Sequence, residues 1–172
     1  MNLDQIANLA EIIGVTLVIA SLIYVAKQLR QNTNAVHAQT RQAVLVAAQS
    51  ELFAVMENPD LVISIVKMDS LTPEEHVRLN SWLFAAFRAR EFAWLQYKNG
   101  VIDETQWQTE LGVIQFIFDS QRTRDWWAKI GRVPYGTDFV EFVDSVIRGQ
   151  PATETAWQTI TRWTAPDSGD SG

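Results

Sequence analysis

The apolar and polar positions divide the chain into one long uncharged run and a series of shorter amphipathic segments. The uncharged run, Ile12–Ala26, is rich in Ile, Val and Leu. As a helix it spans about 22 Å, and extension back to Ile6 gives about 31 Å with Glu11 as the only charge. Because the hydrocarbon core of a bilayer is about 30 Å thick and the run lacks a broad polar face, the pattern predicts a membrane-spanning helix rather than a buried helix of a soluble protein.

The polar segment 28–42 contains no proline or glycine, so we expect the membrane helix to continue through it as a stalk. From Ala43 to Asn58, before Pro59, apolar residues recur at helical spacing. These patterns predict a membrane anchor (1–30), a stalk with the first bundle helix (31–58), a helical domain (59–149) and a tail (150–172). In the tail, residues 152–164 are a candidate short helix with Trp157, Ile160 and Trp163 as docking groups, and disorder is expected from Ala165.

The predicted helical domain is centred on Pro73–Lys98. Thr72 and Glu75 form a capping box at its start, and Asn99-Gly100 ends it. This helix is apolar on two sides, which predicts that it is sandwiched between neighbours. Further helices are predicted after the capping residues Asp103, Ser120 and Thr137. The expected fold class is all-α: a transmembrane helix that continues into a stalk, followed by a small helical bundle.

The charges beside the apolar run predict its orientation. Asp4 and Glu11 precede or begin the run, whereas Lys27, Arg30 and Arg41 follow it. Basic residues remain on the cytoplasmic side, so we expect a bacterial inner-membrane protein with its N-terminus outside and its domain in the cytoplasm. A cleaved signal peptide is disfavoured, because the first residues carry no positive charge and no small-residue cleavage site follows the run.

Three small residues, Ala10, Gly14 and Ser21, lie close to one stripe of the predicted membrane helix. Small residues allow helix backbones to approach closely in lipid, so this stripe is a candidate packing surface for a partner helix. Chance placement is the alternative interpretation, because Gly and Ala are common in such helices.

The segment 12–36 resembles the N-terminus of a widespread group of small bacterial membrane proteins. The resemblance is carried by Ile13-Gly14, by Ser21-Leu22-Ile23-Tyr24 and by Gln28-Leu29-Arg30-Gln31-Asn32-Thr33. It covers about the first 40 residues and implies the same single-pass topology. It implies no activity, cofactor or catalytic residue.

Composition narrows the function classes further. The chain has 172 residues, a net charge of −6 and no cysteine. The lack of cysteine excludes disulfide scaffolds, Cys-ligated zinc and iron–sulfur clusters. An acidic chain with scattered basic residues is not expected to bind nucleic acid. All seven tryptophans follow the anchor, and their large rings suit cores, interfaces and the headgroup level of a membrane.

Arg30, His37 and Arg41 lie on one face of the predicted stalk. One interpretation is a strip that contacts anionic lipid headgroups or an acidic partner surface. The other is an ordinary solvated helix face.

Arg90 lies in the middle of an apolar stripe of the central helix, and Arg88 lies on the opposite side. A buried guanidinium needs a carboxylate partner, for which Glu51 and Asp119 are the candidates. The two arginines are therefore a candidate anion-binding site or, alternatively, members of structural ion pairs.

No recognised catalytic, metal or nucleotide motif occurs in the chain. His37 and His76 lack the spacing of a di-iron site, and we expect no cofactor. The leading hypothesis is a non-enzymatic, membrane-anchored accessory or assembly subunit that docks on a membrane protein or complex. The alternative is a membrane-tethered sensor that binds a small anionic ligand. A weaker third hypothesis is an enzyme of unrecognised type that uses scattered carboxylates.

Overall fold

The structure is a computed structural model that describes residues 2–67 and 69–163. It contains seven α-helices and no strand in these residues, which confirms the all-α class. The helices are α1 (Leu3–Glu57), α2 (Asp60–Val66), α3 (Pro73–Lys98), α4 (Glu104–Ile117), α5 (Gln121–Trp126), α6 (Thr137–Gly149) and α7 (Thr155–Trp163). A π-helical turn, Trp127–Gly131, follows α5 directly.

Helix α1 is continuous through the predicted anchor, stalk and first bundle helix. The chain nevertheless forms two compact units, Met1–Arg41 and Gln42–Gly172. The boundary therefore falls inside the segment 31–58 that the sequence pattern treated as one piece. Residues from 150 to Trp163 belong to the second unit, and the disorder predicted from Ala165 lies outside the described residues.

The central helix α3 begins and ends where the sequence predicts. Thr72 and Glu75 form the reciprocal capping box, and Pro73 occupies the first turn. The chain leaves α3 through Gly100, whose φ of +69° is readily adopted only by glycine. The capping box of α4, between Asp103 and Gln106, is also confirmed.

Two of the predicted caps are wrong. The Ser120 side chain makes no capping hydrogen bond, because Glu154 from a distant loop accepts the hydrogen bond from the Gln121 N–H instead. Thr137 is the first residue of α6, and Gly136 precedes it as the cap. Local sequence identifies where these helices start but not which residue satisfies their first N–H groups.

The core of the second unit is strongly aromatic. Phe87 on α3 contacts the rings of Phe118, Trp126 and Trp127 at centroid distances of 5.0–5.7 Å. The second side of α3 is covered only in part: Phe84 packs on the Trp126 ring at 5.2 Å, but Val77, Phe92 and Leu95 remain 40–66 % exposed. The described neighbours of α3 cover mainly its Leu83–Phe87–Arg90 face.

Helix α7 docks on the second unit through fewer groups than predicted. Trp157 is buried and donates its indole N–H to the Phe116 carbonyl at 3.0 Å. Ile160 is half-buried, but Trp163 is 89 % exposed and does not dock. Asp119 holds the start of α7 by accepting hydrogen bonds from Thr153 and from the Ala156 N–H.

Candidate functional site

The apolar run in the first unit has the properties of a membrane-spanning segment. It lies in a helix that is long and apolar enough to cross a bilayer, and none of its most apolar window is buried. A signal sequence can be equally long and apolar. A helix from the core of a soluble protein can be so too, but it would be mostly buried. The two hydroxyl groups in the run are satisfied within the helix: Thr16 donates to the Ile12 carbonyl at 2.7 Å, and Ser21 to the Leu17 carbonyl at 2.8 Å. Such internal bonding is what a lipid environment requires of polar groups.

The predicted small-residue stripe lies on α1. Gly14 and Ser21 are exposed, and the side chain of Ala10 is outside the described residues. A Cβ atom added at Gly14 would have no neighbour within 4 Å, so the helix surface there is open. The fold of the described chain does not itself require glycine at this position.

The predicted basic strip also lies on α1 within the first unit. Arg30 and Arg41 are exposed, and His37 is half-buried. Their spacing places them on one face of the helix, as the pattern predicts. The part of the chain that the structure describes does not identify a lipid or protein ligand for this strip, so its interpretation stays a prediction.

In the second unit, Arg90 is the centre of a buried charge cluster. Its guanidinium donates to the Glu51 carboxylate on α1 and, at 3.3 Å, to the Ala86 carbonyl. Its Nε lies 3.1 Å from Oε2 of Glu110 on α4, in poor hydrogen-bond geometry. The exposed fractions of the three side chains are 4 % for Arg90, 15 % for Glu51 and 11 % for Glu110. Of the two candidate partners, Glu51 pairs with Arg90, whereas Asp119 is used by the α7 loop.

The cluster contains two carboxylates for one guanidinium. Burial raises the pKa of Glu51, although the charge and hydrogen bond of Arg90 act in the opposite direction. Burial likewise raises the pKa of Glu110 against the attraction of Arg90. With both carboxyl groups ionised, the cluster carries one negative charge in excess.

A cavity of about 390 Å³ opens beside this cluster. Glu51 and Arg90 are its charged lining residues, and Glu110 is not among them. The remaining lining is almost entirely apolar and includes the aromatic residues Trp82, Phe116 and Trp157. Its volume lies within the range of roughly 300–1,000 Å³ that is typical of small-molecule sites.

Arg88 has separate surroundings. Its guanidinium pairs with Glu91, donates to the Pro134 carbonyl at 2.9 Å and lies 4.9 Å from the centre of the Tyr135 ring. Glu91 also accepts a hydrogen bond from the Gly136 N–H at 2.7 Å. These contacts tie α3 to the turn before α6, and Arg88 does not line the cavity that contains Arg90.

The two carboxylates of the cluster differ in their access to the cavity. Only Glu51 lines the cavity, and Arg90 is paired with both carboxylates. In the described part of the chain, no group of three or more His, Asp and Glu residues could hold a metal ion.

A second feature of the second unit is an exposed apolar face on α1, here called the α1 band. It consists of large apolar side chains that recur on one side of the helix and are 50–71 % exposed: Leu45, Val46, Leu52, Phe53 and Met56. The opposite side of the same helix carries Glu51 and packs toward the core. Contiguous apolar surface of this kind is uncommon on monomeric soluble proteins and usually marks an interaction site.

Sequence reasoning missed Glu110 and the α1 band. Glu110 lies between Trp107 and Ile114 on the inward stripe of α4, so a charge at an inward position was a usable signal. The band had no comparable signal, because residues 43–56 are apolar on both sides and the pattern alone does not say which side meets the core. No protein-family model, curated protein or solved structure matches the chain.

Proposed function

We propose that the chain is a non-enzymatic, membrane-anchored accessory subunit that docks on a larger membrane protein or complex. The observation that carries this proposal is the α1 band, an exposed apolar face on an otherwise folded unit. The polar segment 28–42 separates the band from the apolar run in sequence, so the band is a second apolar surface and not an extension of the anchor.

The spacing of the band favours a helix as the partner element. Along this face, residues recur at alternating spacings of four and three positions, as in a seam where two helices pack together. The seam consists of Leu45, Gln49, Leu52 and Met56. Gln49 is the single polar residue of the seam. A polar residue in such a seam favours one register between the two packed helices over others. We infer that a helix of the partner lies along this seam.

The membrane assignment rests on the exposed apolar window of α1 and on the charges that flank it. We propose the bacterial inner membrane, with the N-terminus outside and the second unit in the cytoplasm. The basic side chains of Lys27, Arg30 and Arg41 after the run support this orientation.

A pull-down from native membranes in mild detergent tests the docking proposal. The bait carries a C-terminal tag, and co-purified proteins are quantified by mass spectrometry. Leu45→Gln/Met56→Gln alters the band without touching the cavity lining. Val77→Gln/Val133→Gln is the matched control, because those side chains are 66 % and 77 % exposed but lie elsewhere.

We expect a stoichiometric membrane partner with the wild type and the control, and at least about a fivefold loss with the band variant. Exposed substitutions change stability by only about 0.5 kcal/mol, so unfolding would not explain such a loss. Wild-type protein that leaves the membrane alone, or equal loss with both variants, would contradict the docking proposal.

Orientation is tested separately by cysteine labelling, because the natural chain has no cysteine. In intact spheroplasts, an impermeant thiol reagent should label Leu3→Cys directly, because Leu3 precedes the proposed span and is exposed. Val133→Cys should react only after permeabilisation. The reverse labelling order would contradict the proposed topology, and recovery in the soluble fraction without detergent would contradict the anchor itself.

A further inference from the structure

We propose that the cavity beside Arg90 binds a small lipophilic cation, an organic amine or quaternary ammonium compound, whose charged group pairs with Glu51. This inference goes beyond the accessory-subunit role and does not depend on it.

The charge of the cluster selects the sign of the ligand. Glu51 and Glu110 share one guanidinium, so with both carboxyl groups ionised the largely buried cluster carries one negative charge in excess. An anion placed in the cavity would add to this excess, because the positive charge of Arg90 is already divided between two carboxylates. A cation would neutralise it, and charge attraction is strong where water is largely excluded.

The cavity wall selects an organic cation over a metal ion. Apart from Glu51 and Arg90, the lining is almost entirely apolar, so a hydrated metal ion would find too few oxygen ligands. Trp82, Phe116 and Trp157 contribute aromatic rings, and Phe116 and Trp157 are packed 4.3 Å apart between ring centres. Aromatic faces beside a carboxylate are the usual chemistry of quaternary ammonium recognition.

A soluble cation fits this site better than a zwitterionic lipid headgroup. The phosphate that accompanies a choline or ethanolamine group would approach the same two carboxylates and be repelled by them. The cavity volume of about 390 Å³ is sufficient for an amine with a small apolar body.

Three isosteric probes test the proposal on the full chain in the uncharged detergent dodecyl maltoside. They are phenyltrimethylammonium, its uncharged carbon analogue tert-butylbenzene, and the anion benzenesulfonate. Binding is measured by isothermal titration calorimetry, with titration into protein-free micelles subtracted. We expect phenyltrimethylammonium to bind with a Kd on the order of 1 mM, as suits a ligand of about ten heavy atoms. The carbon analogue should bind at least about tenfold more weakly, and benzenesulfonate should not bind.

Substitution of the carboxylate locates the site. Glu51→Gln should weaken phenyltrimethylammonium binding about tenfold, because the charge pairing is lost. Glu57→Gln, a carboxylate that is also on α1 but exposed and outside the cavity, is the matched control and should leave this binding unchanged.

The proposal is overturned if the carbon analogue binds wild-type protein as tightly as the cation, or if benzenesulfonate binds more tightly than either. These comparisons need only wild-type protein, so they decide the question even if Glu51→Gln does not fold. Unchanged cation affinity in folded Glu51→Gln protein would also overturn it. Equal affinity for dihexanoylphosphatidylcholine would replace the soluble cation by a lipid headgroup.

Discussion

Removal of Arg90 should destabilise the second unit through the two carboxylates that it leaves behind. Arg90→Met preserves much of the side-chain volume but removes the partner of Glu51 and Glu110, which are only 15 % and 11 % exposed. At an effective dielectric constant of about 20, each ion pair contributes an attraction on the order of 4–5 kcal/mol. The variant also avoids the desolvation of the guanidinium, which offsets part of this attraction. We therefore expect a net loss of about 3–5 kcal/mol in the free energy of unfolding at pH 7.

The loss should depend on pH with a defined sign. Burial already raises the pKa of both carboxyl groups from the ordinary value of 4.5, and without Arg90 both pKa values rise further. The folded variant then holds protons that the unfolded chain has released. The variant's loss of unfolding free energy relative to wild type is therefore complete above the pKa values of Glu51 and Glu110 in the folded variant. This loss shrinks as the pH falls toward about 4.5.

Thermal unfolding in dodecyl maltoside, followed by near-UV circular dichroism of the tryptophans, measures both effects. A loss of 3–5 kcal/mol lowers Tm by on the order of 10–20 °C in a unit of this size. The triple variant Arg90→Met/Glu51→Gln/Glu110→Gln removes all three charges and should recover at least half of the loss, because no charge is left buried without a partner.

Two results would refute this reasoning. One is a loss of unfolding free energy in Arg90→Met that stays constant between pH 8 and pH 5. The other is a triple variant that is no more stable than Arg90→Met. Either result would assign the role of Arg90 to packing of its aliphatic stem instead of to charge compensation.

Three further predictions concern other parts of the chain. Gly131→Ala would place a Cβ within 2.6–2.9 Å of the Trp126 ring, so it should lower the free energy of unfolding, measured by thermal unfolding, by about 1–3 kcal/mol. Gly112→Ala, whose Cβ would have no neighbour within 4 Å, should instead stabilise its helix by up to about 1 kcal/mol. Gly14→Ile should leave Tm unchanged but reduce partner recovery in the pull-down if a helix packs there; unchanged recovery would remove Gly14 from the interface. The pKa of Asp119 is lowered, because the hydrogen bonds from Thr153 and Ala156 outweigh the opposing effect of burial. The stabilisation of α7 by Asp119 should therefore be complete above pH 4 and should be lost as the pH falls through the pKa of Asp119 in the folded protein. Amide exchange in α7 should accelerate in Asp119→Ala and not in Asp138→Ala, an exposed carboxylate on α6.

Sequence patterns predicted the elements better than the contacts between them. The capping boxes at Thr72 and Asp103 use residues three positions apart, so local sequence contains the whole motif. The cap of α5 depends on Glu154, which is 33 residues from Gln121, and no local pattern contains that information. Trp163 shows the same limit: it lies in a helix, as predicted, but its side chain is 89 % exposed.

The Arg90 cluster was partly predictable for a related reason. A charge on an inward stripe needs a partner of opposite sign on an inward stripe, and Glu51 satisfies this rule on α1. Glu110 satisfies it on α4 as well, so the rule applied to every helix would have found the full cluster. Asp119 does not satisfy it, because it follows the end of α4 and is used by the loop before α7.

The orientation of α1 in the second unit connects the charge cluster to the proposed interface. An isolated fold normally places large apolar side chains inside and carboxylates outside. Here Glu51 faces inward to Arg90, while Leu45, Phe53 and Met56 are 60–71 % exposed. A rotation of α1 that buried these side chains would withdraw Glu51 and leave Arg90 and Glu110 with their charges unbalanced. The ion pair therefore fixes the helix in the orientation that leaves the α1 band exposed. In the isolated unit these apolar side chains stay in contact with solvent, and a partner that covers the band would bury them.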